Sequence, residues 1–266
     1  MTPFVERTIR SLNDGLSFAT LADDSARAGG WLQSVDPRVK VIGIFALICA
    51  SAATHSLSAI AAVFLIACVL AIGSRISLAD LARWAWTPAL LFTGCIALPA
   101  IFATPGARIN ASLPVTMQGL RTASLLLLRA ETAISLSALL VLTTRWAHIL
   151  KALRVLRLPV VFVVILGMTY RYLFLILEIA LDMFESRKSR TVGVLEPADR
   201  RRLAAATAGV LLSKSYHLSA DVHLAMQSRG FRGEVYMLDD FEIRSADWVW
   251  LVSFLAIATA VVWVGR

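Results

Sequence analysis

Two stretches, Glu185-Ser186-Arg187-Lys188-Ser189-Arg190-Thr191 and Ala225-Met226-Gln227-Ser228-Arg229-Gly230-Phe231, decide how this chain is read. Each closes a long helical pattern with a small residue, then an arginine, then a residue that stops or weakens a helix. Both lie in a charged stretch, residues 181–234, inside an otherwise apolar protein. The first pattern covers 159–190. The second opens at Pro197, a residue suited to the first helical position, and runs to Arg229. Each covers about 32 residues, or ~48 Å if wholly helical. A pair of that length can link a membrane body to something well away from it.

Working outward, the composition is that of an integral membrane protein. Of 266 residues, 58% are hydrophobic and 17% charged, where soluble domains carry about 25% charged residues. Mean hydropathy is +0.72. The formal net charge is +8. In a membrane protein such an excess collects in cytoplasmic segments, so it argues for sidedness and against a nucleic-acid partner. Cys49, Cys68 and Cys95 sit in apolar runs without CxxC spacing and are expected to be buried, inert thiols. The first residues are polar, with Glu6, Asp14, Asp23 and Asp24, and do not read as a signal peptide.

The fold expected is all-α and polytopic, with about five membrane crossings. Residues 1–38 form an N-terminal cytoplasmic segment, ending where Asp36 caps a helix that Pro37 opens and Arg38 and Lys40 flank. Val39–Thr54 and Leu57–Gly73 make a hairpin with His55 at its solvated turn. Trp84–Phe102 is the third segment, with Trp84 and Trp86 in an interfacial belt. Residues 103–115 form an outside loop. The fourth segment, Thr116–Thr143, carries Arg121, Arg129 and Glu131 at membrane depth. Ionisable groups there face protein rather than lipid. Arg129 and Glu131 are two residues apart and do not share a helix face. Each is expected to form an ion pair with another helix or subunit, with a proton relay as the alternative.

After 39–143 come the coupling helices, 144–245. Arg145–Arg157 is a basic amphipathic helix suited to the cytoplasmic interface. The apolar stretch from Pro159 has basic sequence on both sides, so it is expected not to cross but to lie at the inner face and in the cytoplasm. Its acidic stripe, Glu178, Asp182 and Glu185, with Arg171 on the same face, agrees. In the second long pattern, Ala205, Ala208 and Gly209 are small enough for a close helix crossing, with Gly167 as counterpart on the first. Residues 246–266 form the last crossing, with Trp248, Trp250 and Trp263 at its ends.

Catalytic signatures are missing. There is no GxxxxGK[ST] loop, no GxGxxG after a strand, no HExxH and no GxSxG. His217 and His223 are six apart and do not share a face. No metal or cofactor set is expected. A membrane protein with a projecting basic helical pair and no catalytic set reads as a coupling subunit. An intramembrane enzyme built on Arg129, Glu131 or the histidines is the rival of another class. A guanidinium at a helix end offers a fork for carboxylates, and two of them suit a two-lobed or dimeric partner.

These residues resemble the T component of energy-coupling factor (ECF) transporters, most closely CbiQ of cobalt transport. The resemblance runs from Val35-Asp36-Pro37-Arg38-Val39-Lys40 to about Phe241 and is strongest from Ser213-Lys214-Ser215-Tyr216 through Phe231-Arg232-Gly233-Glu234. It implies two coupling helices that cross in an X, each ending in an Ala-Arg-Gly-type motif. The arginine of each motif docks in a groove of one ATPase subunit. Carried over, Ser228-Arg229-Gly230 fits the second motif. Ser189-Arg190-Thr191 fits the first less closely, because Thr191 stands where glycine is usual, and Arg187 becomes a rival for docking. The partners implied are a cytoplasmic CbiO-like ATPase dimer, a CbiM-like substrate-binding membrane subunit and a small CbiN-like accessory subunit. The membrane subunits would share with this chain the bilayer of a bacterial cytoplasmic membrane, with the ATPases on its cytoplasmic side. Cobalt is the substrate implied. Nickel is the near alternative and a vitamin such as biotin the more distant one.

Overall fold

A computed structural model gives the fold and describes residues 3–27, 29–103, 108–110, 113–190, 196–231 and 245–265. Among these residues the helices are α1 (Pro3–Arg27), α2 (Pro37–Ala53), α3 (Leu57–Gly73), α4 (Leu78–Leu81), α5 (Thr87–Ala103), α6 (Met117–Thr143), α7 (Trp146–Val155), α8 (Val160–Arg190), α9 (Pro197–Ser228) and α10 (Ser245–Val264). A π-helical turn, Ala82–Trp86, joins α4 to α5. A two-stranded antiparallel ribbon, Arg108–Asn110 with Leu113–Thr116, lies in the expected outside loop. The chain is an all-α, multi-pass membrane protein.

Two compact units divide it, residues 22–152 with 241–266 and residues 1–21 with 153–240. In the first, α10 packs on α2, and α3 and α5 pack on α6. Its core includes Leu47, Val63, Leu136, Leu139, Phe254 and Ala258. Asp36 caps α2 as expected: its side chain accepts the Arg38 N–H, and Pro37 opens the helix. Ser56 caps α3 by accepting the Ala59 N–H. Gly43 lets α10 close on α2, since a Cβ there would clash with the Phe254 ring. His55 is exposed at the hairpin turn.

Among the described residues, four helical stretches are long and apolar enough to cross a membrane: Leu78–Pro99, Met117–Thr143, Val160–Arg190 and Ser245–Val264. Leu57–Gly73 is a shorter apolar helix. Length and composition thus qualify α8 as well, although its flanking charge argues for the cytoplasmic side.

Several expectations change. Within the polar N-terminal segment, residues 3–27 form a helix. Cys49 and Cys95 are exposed, and Cys68 is half-buried. An apolar run in a membrane helix marks a lipid-facing surface as readily as a core. The third apolar helix starts earlier than Trp84, because the π turn carries the chain from α4 into α5 ahead of Pro88. A π turn absorbs the carbonyl clash a proline creates. That turn also sends the two tryptophans different ways. Trp84 is exposed. Trp86 turns inward, donating from Nε1 to Ser135 Oγ at 2.8 Å and packing on Phe64 with ring centroids 5.3 Å apart.

Candidate functional site

In the unit holding residues 153–240, α8 and α9 are helices of 31 and 32 residues. Their C-terminal ends share a local design. Ser189 Oγ donates to the Ser186 carbonyl at 2.8 Å, and Ser228 Oγ donates to the Ala225 carbonyl at 2.9 Å. Each hydroxyl is thereby folded back onto its own last turn. The next residue is an exposed arginine, Arg190 or Arg229. Carbonyls gathered at a helix C-terminus favour a cation there.

The end of α9 is fully defined. Gly230 N–H donates to the Gln227 carbonyl at 2.9 Å, and Phe231 N–H donates to the Met226 carbonyl at 3.0 Å. Those two bonds are the Schellman pattern, with Gly230 at φ +76°. A left-handed residue at that step is what ends the helix one residue after Arg229. Glycine holds it without a Cβ penalty. The arginine is therefore presented from a fixed corner. At the first end, Thr191 lies outside the described residues. Arg190 is the last residue of α8. Among the described residues neither Arg190 nor Arg229 has a side-chain partner, whereas Arg187 is engaged within the chain.

Chain geometry sets the arginines apart. Arg229 caps a helix about 48 Å long, and the seven steps from Arg190 to Pro197 span at most ~24 Å. The two are therefore at least ~24 Å apart. Each needs its own receptor surface.

The small residues stand elsewhere than expected. Ala205, Ala208 and Gly209 are exposed. Nothing stands within 4 Å of a Cβ built on Gly209. The groove between α8 and α9 is lined instead by Leu175, Ile176 and Ile179 of α8 and Leu211, Ser215 and Leu218 of α9. Gly167 is half-buried, about two turns before that stretch. Larger side chains thus line that groove, and among the described residues nothing packs closely on Gly209.

The intramembrane polar residues also resolve. Arg121 is exposed close to the start of α6, a helix that at ~40 Å outruns a ~30 Å hydrocarbon core. Arg129 Nη2 donates to the Thr54 carbonyl at 2.7 Å. This is the C-cap of α2, so its partner in the chain is a helix end and not a carboxylate. Glu131 is buried, and neither of its oxygens has a partner among the described residues. Thus no ion pair joins either residue to another helix there. His223 Nε2 meets Gln227 Nε2 at 3.0 Å, and His217 sits beside Tyr216. No group of three or more His, Cys, Asp or Glu able to hold a metal occurs among the described residues.

The family profile described as CbiQ, cobalt transport protein, matches residues 28–237. The chain belongs to the CbiQ cobalt transport family. An uncharacterized protein of Methanocaldococcus jannaschii is 32% identical over 263 residues, covering 96% of this chain and 88% of that protein. The match to CbiQ begins just ahead of α2 and takes in both long helices with their arginine ends. Membership makes the protein a transport component of cobalt transport.

Sequence reasoning missed one group. In the sequence Lys40 is only a charge flanking an apolar run, yet in the fold it is buried, and Asp247 is buried beside it in the same unit. A usable signal existed: a lysine in the first turns of an apolar helix stands at the dipole end that disfavours it.

Proposed function

We infer that this chain is a non-catalytic T subunit of an ECF-type ABC importer for cobalt ion. ATP is bound and hydrolysed by a CbiO-like ATPase dimer in the cytoplasm. The movement of that dimer passes through α8 and α9 to a CbiM-like substrate-binding subunit with its CbiN-like companion, in the cytoplasmic membrane.

The observation that carries this reading is the repeated Ser-Arg end. Arg190 and Arg229 are exposed, each follows a serine folded onto its own helix, and they are too far apart to share one pocket. That is the arrangement two like subunits need. A guanidinium offers two parallel N–H groups to a carboxylate. A fixed helix corner holds it without the entropy cost a loop would carry. Residues 39–143 and 246–266 then serve as the membrane body, and 144–245 as the coupling region.

The test is co-purification of the ATPases on the tagged chain. Arg190→Ala and Arg229→Ala are each expected to reduce recovery, and the pair to lower it by about a hundredfold, as loss of two charge-assisted contacts would. Full recovery with the double variant would contradict the docking role.

A further inference from the structure

The inserted coupling region leaves the membrane body after α6 and returns to it at α10. Both junctions meet a buried polar knot at the start of α2. Lys40 is 1% exposed, Asp36 6%, Asp247 4% and Thr143 1%. Lys40 Nζ donates to the Thr143 carbonyl at 3.0 Å. Thr143 is the last residue of α6, so this carbonyl is one of the four a helix leaves open at its end. A lysine there supplies the missing donor and a charge that suits the dipole. The Asp36 N–H donates to Asp247 Oδ1 at 3.0 Å. Asp247 lies in the first turn of α10, where an acidic side chain is favoured. The Asp36 carboxylate in turn accepts the Arg38 N–H at 2.8 Å.

Lys40 contributes little to α2 itself, since a cation early in a helix opposes the dipole. Its contact lies on α6. Burying three charged groups is also a poor way to gain stability, because apolar packing of the same volume does as well or better. What buried polar groups can supply is a fixed geometry. Here that geometry joins the outgoing and returning ends of one long insertion to the same first turn of α2.

We propose that Asp36 and Lys40 form a common anchor for both ends of the coupling region, holding Thr143 and Asp247 in fixed relation while the helices beyond them move. They act as positioning residues. The proposal rests on the transmission role assigned above. Without the anchor, movement at the ATPases would be spent in shifting the junctions instead of the membrane body.

The experiment uses the full complex, with Cys49, Cys68 and Cys95 replaced by alanine and spin labels on Arg145→Cys and Ser245→Cys, both exposed positions. The label-to-label distance distribution is measured together with cobalt uptake per ATP hydrolysed in proteoliposomes. Lys40→Met removes the donor to Thr143. Lys40→Met with Asp247→Asn removes it while keeping the net charge of the knot, which guards against simple unfolding. The expected result is a distribution about twice as wide and uptake per ATP reduced about tenfold, with the ATPases still bound. An unchanged distance distribution in the charge-matched variant overturns the anchor. A broadened distribution with unchanged uptake per ATP overturns the transmission role on which it rests.

Discussion

Gly230 shows how much one residue can settle. Its φ of +76° ends α9 just after Arg229, and an alanine there meets left-handed strain of about 1 kcal/mol. Gly230→Ala should therefore fray the last turn and weaken ATPase binding several-fold, with little effect on the amount of folded protein. Titration of the purified ATPases onto the two forms of the chain measures this. Two other helix ends use the same hydrogen-bond pattern without glycine. After α3, Arg75 has φ 56°, and after α7, Arg157 has φ 67°. Arginine accepts the strained corner there and brings a cation to the open carbonyls. Arg157→Gly is expected to relieve the strain and leave thermal stability equal or raised by roughly 0.5–1 kcal/mol, as read in thermal melts in detergent. A fall of that size or more would show that the charge outweighs the backbone strain.

At the scale of elements, local signals carried furthest. Asp36-Pro37, Ser228-Arg229-Gly230 and the proline at 197 each carry a backbone constraint in their own chemistry, so α2 and both bounds of α9 could be read from the chain. Partner-dependent features could not. A cysteine in an apolar run looks alike whether lipid or protein covers it, and Cys49 and Cys95 proved exposed. Ala205, Ala208 and Gly209 have the size for a close crossing, but size does not say which face of α9 meets α8. The Lys40 knot joins residues far apart in sequence, at 36, 143 and 247, and no local pattern records such a meeting. Gly43 belongs to the same class, with its reason lying on α10. Gly43→Val should overpack Phe254, costing about 1–3 kcal/mol or more and lowering the yield of monodisperse protein.

For the whole molecule, α8 poses the sharpest topological question. It is apolar enough to cross, and it carries the exposed acidic residues Glu178, Asp182 and Glu185 that a lipid-bathed helix would not tolerate. If its C-terminal end works beside the ATPases, a cysteine at Ser186 is cytoplasmic. In a chain without the native cysteines, Ser186→Cys should resist impermeant maleimide in intact cells and react after the cells are opened. Reaction from outside would place the Arg190 end on the wrong side for docking. On this reading the chain performs no chemistry and transmits the work of others. The most direct measurement is ATP-driven uptake of radioactive cobalt by proteoliposomes that hold the ATPases and the substrate-binding subunits, with and without this chain. The account predicts uptake only when the chain is present and no ATP hydrolysis by the chain alone. Equal uptake in its absence would contradict it.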